Sequence, residues 1–177
     1  MSRHLILLPM LACAIAAVTL AACNRHPDEP PPVAGEAGLS VKEIMREKIE
    51  PNAQIFWHSS GEVDTAQGTV DLAPTTPEGW KKAETAVDEI IAGARLLTED
   101  KRAKGRKDFV MRAEALITEA KLAREAARTH NKDKMFETGG DLYAKCTDCH
   151  RQFLLPLLGP DGRPKKIDEN GSPIINK

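Results

Sequence analysis

A chain of 177 residues has room for one domain with an apolar core plus terminal extensions, and two domains would be a squeeze. Charged residues make up 29% of it yet balance to a formal net charge of −1, which excludes the basic footprint of a nucleic-acid binder. Aromatics are only 4% while Ala, Leu, Glu, Lys and Arg dominate the middle of the chain, so helices are expected over strands.

Residues 1–22 carry a basic start at Arg3, an apolar stretch from Leu5 to Leu20, and the small pair Ala21-Ala22 before Cys23, as an export signal requires. The roughly 16 apolar-leaning residues fall short of the ~20 that span a bilayer, which argues for removal over retention as a transmembrane helix. Leu20-Ala21-Ala22-Cys23 resembles the lipobox of bacterial lipoproteins, which implies cleavage before Cys23 and lipidation of its thiol. Cys13 follows Leu11-Ala12 in the same manner, but a cut there would leave a very short apolar stretch. Residues 23–39, rich in Pro and small residues without a periodic apolar face, read as a partly stiff tether.

At Ser40 the pattern changes. Ser40-Val41-Lys42-Glu43 fits a capping box, and Val41, Met45, Ile49, Asn52 and Phe56 then recur at helical spacing. Pro51 interrupts this first helix and should kink or split it near Glu50. Gly61 is a natural stop, and residues 61–75, with scattered Gly, Thr, Asp and Pro, read as a long loop. Thr76-Pro77-Glu78 supplies an N-cap, a first-turn proline and an acid for a second helix. Its stripe is Trp80, Ala83, Val87, Ile90, Ala94 and Leu97, in steps of three and four. The basic run Lys101 to Lys107 turns into a third helix striped by Phe109, Ala113, Leu116, Ala120, Ala123 and Ala127. His130-Asn131 ends it. A fourth helix runs from about Lys132 through Leu142, Cys146, Cys149 and Phe153, with an interruption possible at Gly139-Gly140. Pro156 and the Gly159-Pro160-Asp161-Gly162 turn stop it, and residues 156–177 read as a flexible tail. Four amphipathic segments joined by mostly short turns predict an all-α domain over residues 40–155, an antiparallel up-down-up-down four-helix bundle.

Cys146-Thr147-Asp148-Cys149-His150 is a Cys-x-x-Cys-His motif, the attachment signature of a c-type haem. On a helix, positions i, i+3 and i+4 share a face, so two thioethers from Cys146 and Cys149 and an imidazole from His150 can meet one cofactor. His150 would then be the proximal iron ligand. A thioredoxin-like site would want a βαβ context, and a structural zinc site would want further thiols or imidazoles nearby, whereas His58 and His130 stand alone. One covalent haem c is therefore the expected cofactor.

With the motif late in the last helix, Phe153 three residues after His150, and the Met45 to Trp57 pattern around Pro51, residues 40–155 resemble the class II cytochromes c, meaning cytochrome c′ and its low-spin four-helix relatives. Leu154 stands where many relatives carry a basic residue. The low-spin relatives fill the second axial position with a methionine from the first helix, which implies Met45 as the distal ligand. In the predicted bundle the start of the first helix lies beside the end of the fourth, so Met45 shares an end with His150. His58 lies thirteen residues further on, roughly 20 Å along a helix. His130 falls at that same far end, Met111 on a polar face, and Met135 far from the motif.

The resemblance implies an electron carrier with His/Met-ligated iron and no enzymatic activity. The alternative is a five-coordinate, cytochrome c′-like binder of small gases such as NO or CO. Expected partners are redox proteins and, through lipidated Cys23, a membrane, with a homodimer as an open assembly state. Expected location is the periplasmic side of a bacterial membrane; Asn24 lacks the aspartate linked to inner-membrane retention, which favours the outer membrane. The run Lys101 to Lys107 complements the carbonyl end of the second helix, and as a cationic rim beside the cofactor it would also steer acidic partners.

Overall fold

In the computed structural model, residues 38–159 together with 162, 163 and 165 are described. The described residues all belong to one compact unit. The expected signal segment, Cys23 and all but the last two residues of the tether lie outside them, as does most of the expected tail.

The described chain is mostly helical: α1 Val41–Ile44, a π-helical turn Met45–Ile49, α2 Glu50–Trp57, α3 Pro77–Thr98, α4 Asp100–Ala103, α5 Lys107–Arg128 and α6 Lys132–Phe153. The start signals act as their chemistry dictates. Ser40 accepts from the Glu43 backbone N–H while Glu43 accepts from the Ser40 backbone N–H at 2.8 Å, so two orphan donors of the first turn are satisfied reciprocally. Thr76 accepts from Gly79 N–H at 3.1 Å with Pro77 in the first turn, where a missing N–H costs nothing. Asn131 caps α6 through Lys134 N–H at 3.0 Å.

Trp80, near the start of α3, stacks on His130 just beyond the end of α5 at 4.8 Å, and Arg112 and Phe109 of α5 meet Gln152 and Phe153 of α6. Each of these helix pairs therefore runs in opposite directions. α2 leans on α3 and touches α6, where the Trp57 indole N–H donates to Gly139 O at 3.0 Å. The core between them is apolar and well closed: Ile44, Phe56, Val87, Ile90, Ile91, Leu97, Met135 and Leu142 are all within 1% of full burial. Ala94, Ala113, Ala120, Ala123 and Ala127 are buried too, and their small side chains let the helix axes approach.

Three local readings differ from the sequence expectation. First, residues 61–75 hold a hairpin rather than only a loop, with β1 Glu62–Thr65 antiparallel to β2 Gly68–Asp71 and Glu62 opposite Asp71. Gly68 takes φ +122° after the tight turn, a region open to glycine at no steric cost. Leu72 N–H donates to Gly61 O at 2.9 Å, and Lys132 pairs with Asp71 at 2.8 Å, fastening the hairpin to the start of α6. Second, α6 is continuous through Gly139-Gly140. Each glycine costs about 1 kcal/mol of helix propensity, but the Gly139 backbone lies against Phe56, Trp57 and Ser60, and that packing holds it helical. Third, the break expected at Pro51 takes the form of the π-turn one turn earlier, where Glu50 N–H reaches back five residues to Met45 O. Pro51 lacks an N–H and its ring crowds the carbonyl four residues before it; the wider turn relieves both. Among the described residues no helix is long and apolar enough to cross a membrane.

Candidate cofactor site

α6 carries Cys146, Cys149 and His150 on its last two turns, with both cysteines half-buried and His150 exposed. The i, i+3, i+4 spacing sets the three on one face, and that face opens on a cavity of about 570 Å³. This is within the range of a small-molecule or cofactor site, 300–1,000 Å³. The opposite wall comes from the π-turn and α2: Met45, Ile49 and Ala53 line it. Leu97 of α3 and Leu116 of α5 close the floor, Trp57 and Tyr143 meet edge-to-face at 5.7 Å on one side, and Leu154 and Leu155 flank the mouth. Mostly apolar walls with a few convergent polar groups are the usual make-up of such a site.

The structure thus brings Cys146, Cys149, His150 and Met45 to one cavity. It sends the other candidates elsewhere. His58 is exposed and its Nδ1 lies 2.8 Å from Gln54 O of its own helix; His130 stacks on Trp80. Met111 is 57% exposed and Met135 fully buried in the core. Phe153, the last residue of α6, is edge-to-face with Phe109 at 5.2 Å, with the Arg106 guanidinium over both rings. Arg106 of the basic run thus touches the end of α6, and its charge acts on Cys149. Arg102, in contrast, is 4% exposed and donates to Leu39 O, Leu96 O and Glu99, so the run is not uniformly solvated.

Burial pushes the Cys146 thiol up to about 11, the neighbouring Cys149 adding to the effect. Cys149 is also raised by burial, with Arg112 and Arg106 pulling the other way. Among the described residues no group of three or more His, Cys, Asp or Glu side chains is gathered as a metal cage would require; a closed zinc site takes four such ligands.

Two cations that the sequence reading passed over also line the cavity, Arg112 of α5 and Arg151 of α6. The available signal was positional: Arg112 immediately precedes Ala113 of the core stripe, at the end of α5 that faces the motif. Comparison of the chain with family models, curated proteins and solved structures found no match.

Proposed function

We propose that this chain is a monohaem c-type cytochrome, built as an antiparallel four-helix bundle like the class II cytochromes c, and that it carries electrons rather than catalysing a reaction. One observation carries the reading: the Cys-x-x-Cys-His motif and Met45, separated by a hundred residues of sequence, line the same apolar cavity. The donor set fits the group. Cys146 and Cys149 would hold it through two thioethers, His150 and Met45 would ligate its iron, and Ile49, Ala53, Leu97 and Leu116 would face an apolar macrocycle. Bound there, haem supplies a one-electron couple. The protein's part would be to hold His150 and Met45 on rigid helices, so that electron transfer would need little rearrangement of the chain, and to exclude water with the apolar floor of Leu97 and Leu116. Lys104, Arg106 and Lys107, exposed on the turn beside this end, favour acidic redox partners. With Cys23 lipidated, the domain works on the periplasmic side of a membrane, the outer membrane by preference.

The test is expression with a cytochrome c maturation system, followed by haem staining after denaturing electrophoresis and spectra of the oxidised, reduced and carbon monoxide-treated protein. Wild type should stain and ignore carbon monoxide, and Cys146→Ala with Cys149→Ala should not stain. Met45→Leu conserves volume, a change that typically costs under ~1.5 kcal/mol, so a gain of carbon monoxide binding in that variant reports ligation, not unfolding. A wild type that binds carbon monoxide readily overturns ligation by Met45 and favours the gas binder. A wild type without covalent haem overturns the whole reading.

A further inference from the structure

The haem reading leaves three charged groups of the cavity, Glu50, Arg112 and Arg151, without a role. Arg112 crosses from α5 to the last turns of α6, where its Nε donates to Gln152 Oε1 at 3.0 Å. Gln152 is itself fixed, its Nε2 donating to Asp108 Oδ2 at 2.9 Å. The relay Asp108, Gln152, Arg112 thus sets the plane of the guanidinium from behind. In front, Arg112 lines the cavity beside Cys149 and His150. Its ion pair among the described residues is with Asp148 at 3.5 Å through Nη1, well beyond the 2.7–2.9 Å of a charge-assisted hydrogen bond.

A bridge of that length at a partly exposed site contributes little to stability, so it leaves the terminal nitrogens of Arg112 open to a closer partner. An arginine braced through Nε by a neutral amide, with terminal nitrogens beside a cofactor cavity, is instead pre-organised to take a carboxylate in its fork. The other charged groups around it are Asp148 and Arg151 from α6, Arg106 and Asp108 from the start of α5 and the turn before it, and Glu50 from α2. Arg151 is 70% exposed in its side chain and lies 3.8 Å from Asp148, which makes it the weaker candidate.

We propose that Arg112 binds a propionate carboxylate of the haem, with Gln152 and Asp108 holding it in register. The proposal rests on the haem reading above. It makes Arg112 a cofactor-binding residue. A carboxylate beside a fixed cation ionises more readily, by about 1–3 pKa units, so the clamped propionate should stay ionised through the range in which a free one would titrate.

The experiment uses holo-protein of wild type, Arg112→Gln and Arg112→Lys. Resonance Raman spectra report the propionate bending mode, and the reduction potential is followed against pH. In Arg112→Gln the bending mode should move and the propionate ionisation linked to the potential should rise by about 1–3 units. In Arg112→Lys, which keeps the charge but not the fork, the ionisation should return most of the way while the mode stays displaced. An unmoved mode and an unchanged pH profile in Arg112→Gln would overturn the clamp. Should Arg112→Gln yield no holo-protein, Arg112→Lys decides: a displaced mode supports the clamp and an unmoved one overturns it. A wild type with no covalent haem overturns the preceding reading instead, so the two failures are told apart by the haem stain alone.

Discussion

Replacing Arg102 by Met removes the cation of the basic run that is built into the fold. The side chain is 3% exposed and donates through Nε to Leu39 O at 2.8 Å and through Nη1 to Leu96 O at 3.1 Å and Glu99 Oε2 at 2.7 Å. It therefore ties the residue before the α1 cap to the end of α3. Hydrogen bonds from a charged donor are worth about 1.5–3 kcal/mol each, and two carbonyls lose theirs. The Glu99 contact adds little, because that carboxylate is 42% exposed and keeps Lys101 at 2.9 Å. Met fills the space of the stem and spares the desolvation of a buried charge, so a net loss of about 2–4 kcal/mol is expected. With a urea m-value of about 2 kcal/mol/M, the midpoint should fall by about 1–2 M at unchanged m. Hydrogen exchange should rise first at residues 40–45, whose attachment to α3 is cut. A loss below about 1 kcal/mol would refute the claim that this arginine, and not the apolar core alone, fixes the start of α1.

Gly93→Ala and Gly140→Ala should act in opposite directions. A Cβ at Gly93 would lie 2.9 Å from Ile49 Cγ1 and 3.3 Å from Lys48 Cβ, so overpacking of about 1–3 kcal/mol outweighs the ~1 kcal/mol gained in helix propensity. At Gly140 nothing stands within 4 Å, and thermal or urea unfolding should show the propensity gain unopposed; two shifts of the same sign would contradict the packing. Glu119→Gln should stabilise the fold near neutral pH. Burial, then Asp141, raise the Glu119 carboxyl above its usual 4.5, and its Oε1 has no hydrogen-bond partner. The native state therefore binds more protons than the unfolded chain, and wild-type stability falls as pH rises above 4.5. Urea midpoints across that range should converge between variant and wild type at acid pH and separate above it; parallel profiles would sink the assignment. Cys23→Ser should give an unprocessed or soluble exported protein, since a hydroxyl cannot carry the lipid thioether and stable anchoring takes more than one acyl chain. Membrane fractionation decides it, and a mutant that is processed and still bound would count against the lipobox.

The helices were legible because their signals are local and repeated. Ser40 with Glu43, and Thr76 with Pro77, mark starts within four residues, and stripes such as Ala83, Val87, Ile90, Ala94 and Leu97 accumulate evidence over many turns. The hairpin gave almost no such signal: its apolar cross-strand pair is Val63 opposite Val70, both exposed. Burial of Arg102 was hidden for a different reason, since one of its acceptors lies 63 residues away at Leu39. That Cys146, Cys149 and His150 share one face of one helix was legible from spacing alone. Arg112 was not, because what distinguishes it from other surface arginines is Gln152, forty residues later.

Met45 joins the cavity through a feature that periodicity conceals. In a continuous α-helix, burying Ile44 would turn Glu47 and Lys48 inward at i+3 and i+4, while Ile49 would stand roughly 140° around the axis. The π-turn bonds residues five apart, so Ile44 and Ile49 are both buried, while Glu47 is exposed and Lys48 stays half-buried, its Nζ pairing with Glu89 of α3 at 3.2 Å. From Ile49 the spacing to Ala53 and Phe56 is again that of an α-helix. The predicted stripe of Val41, Met45, Ile49, Asn52 and Phe56 therefore splits, with Ile49 and Phe56 buried and Val41, Met45 and Asn52 half-buried. Asn52 accordingly bonds Lys48 O at 2.7 Å, and Met45, released from the core line, lines the cavity wall. A π-turn costs hydrogen-bond quality and persists mostly where a site uses the displacement. Pro51 keeps this one in place, because closing it to α pitch would bring the proline ring against the carbonyl of Glu47.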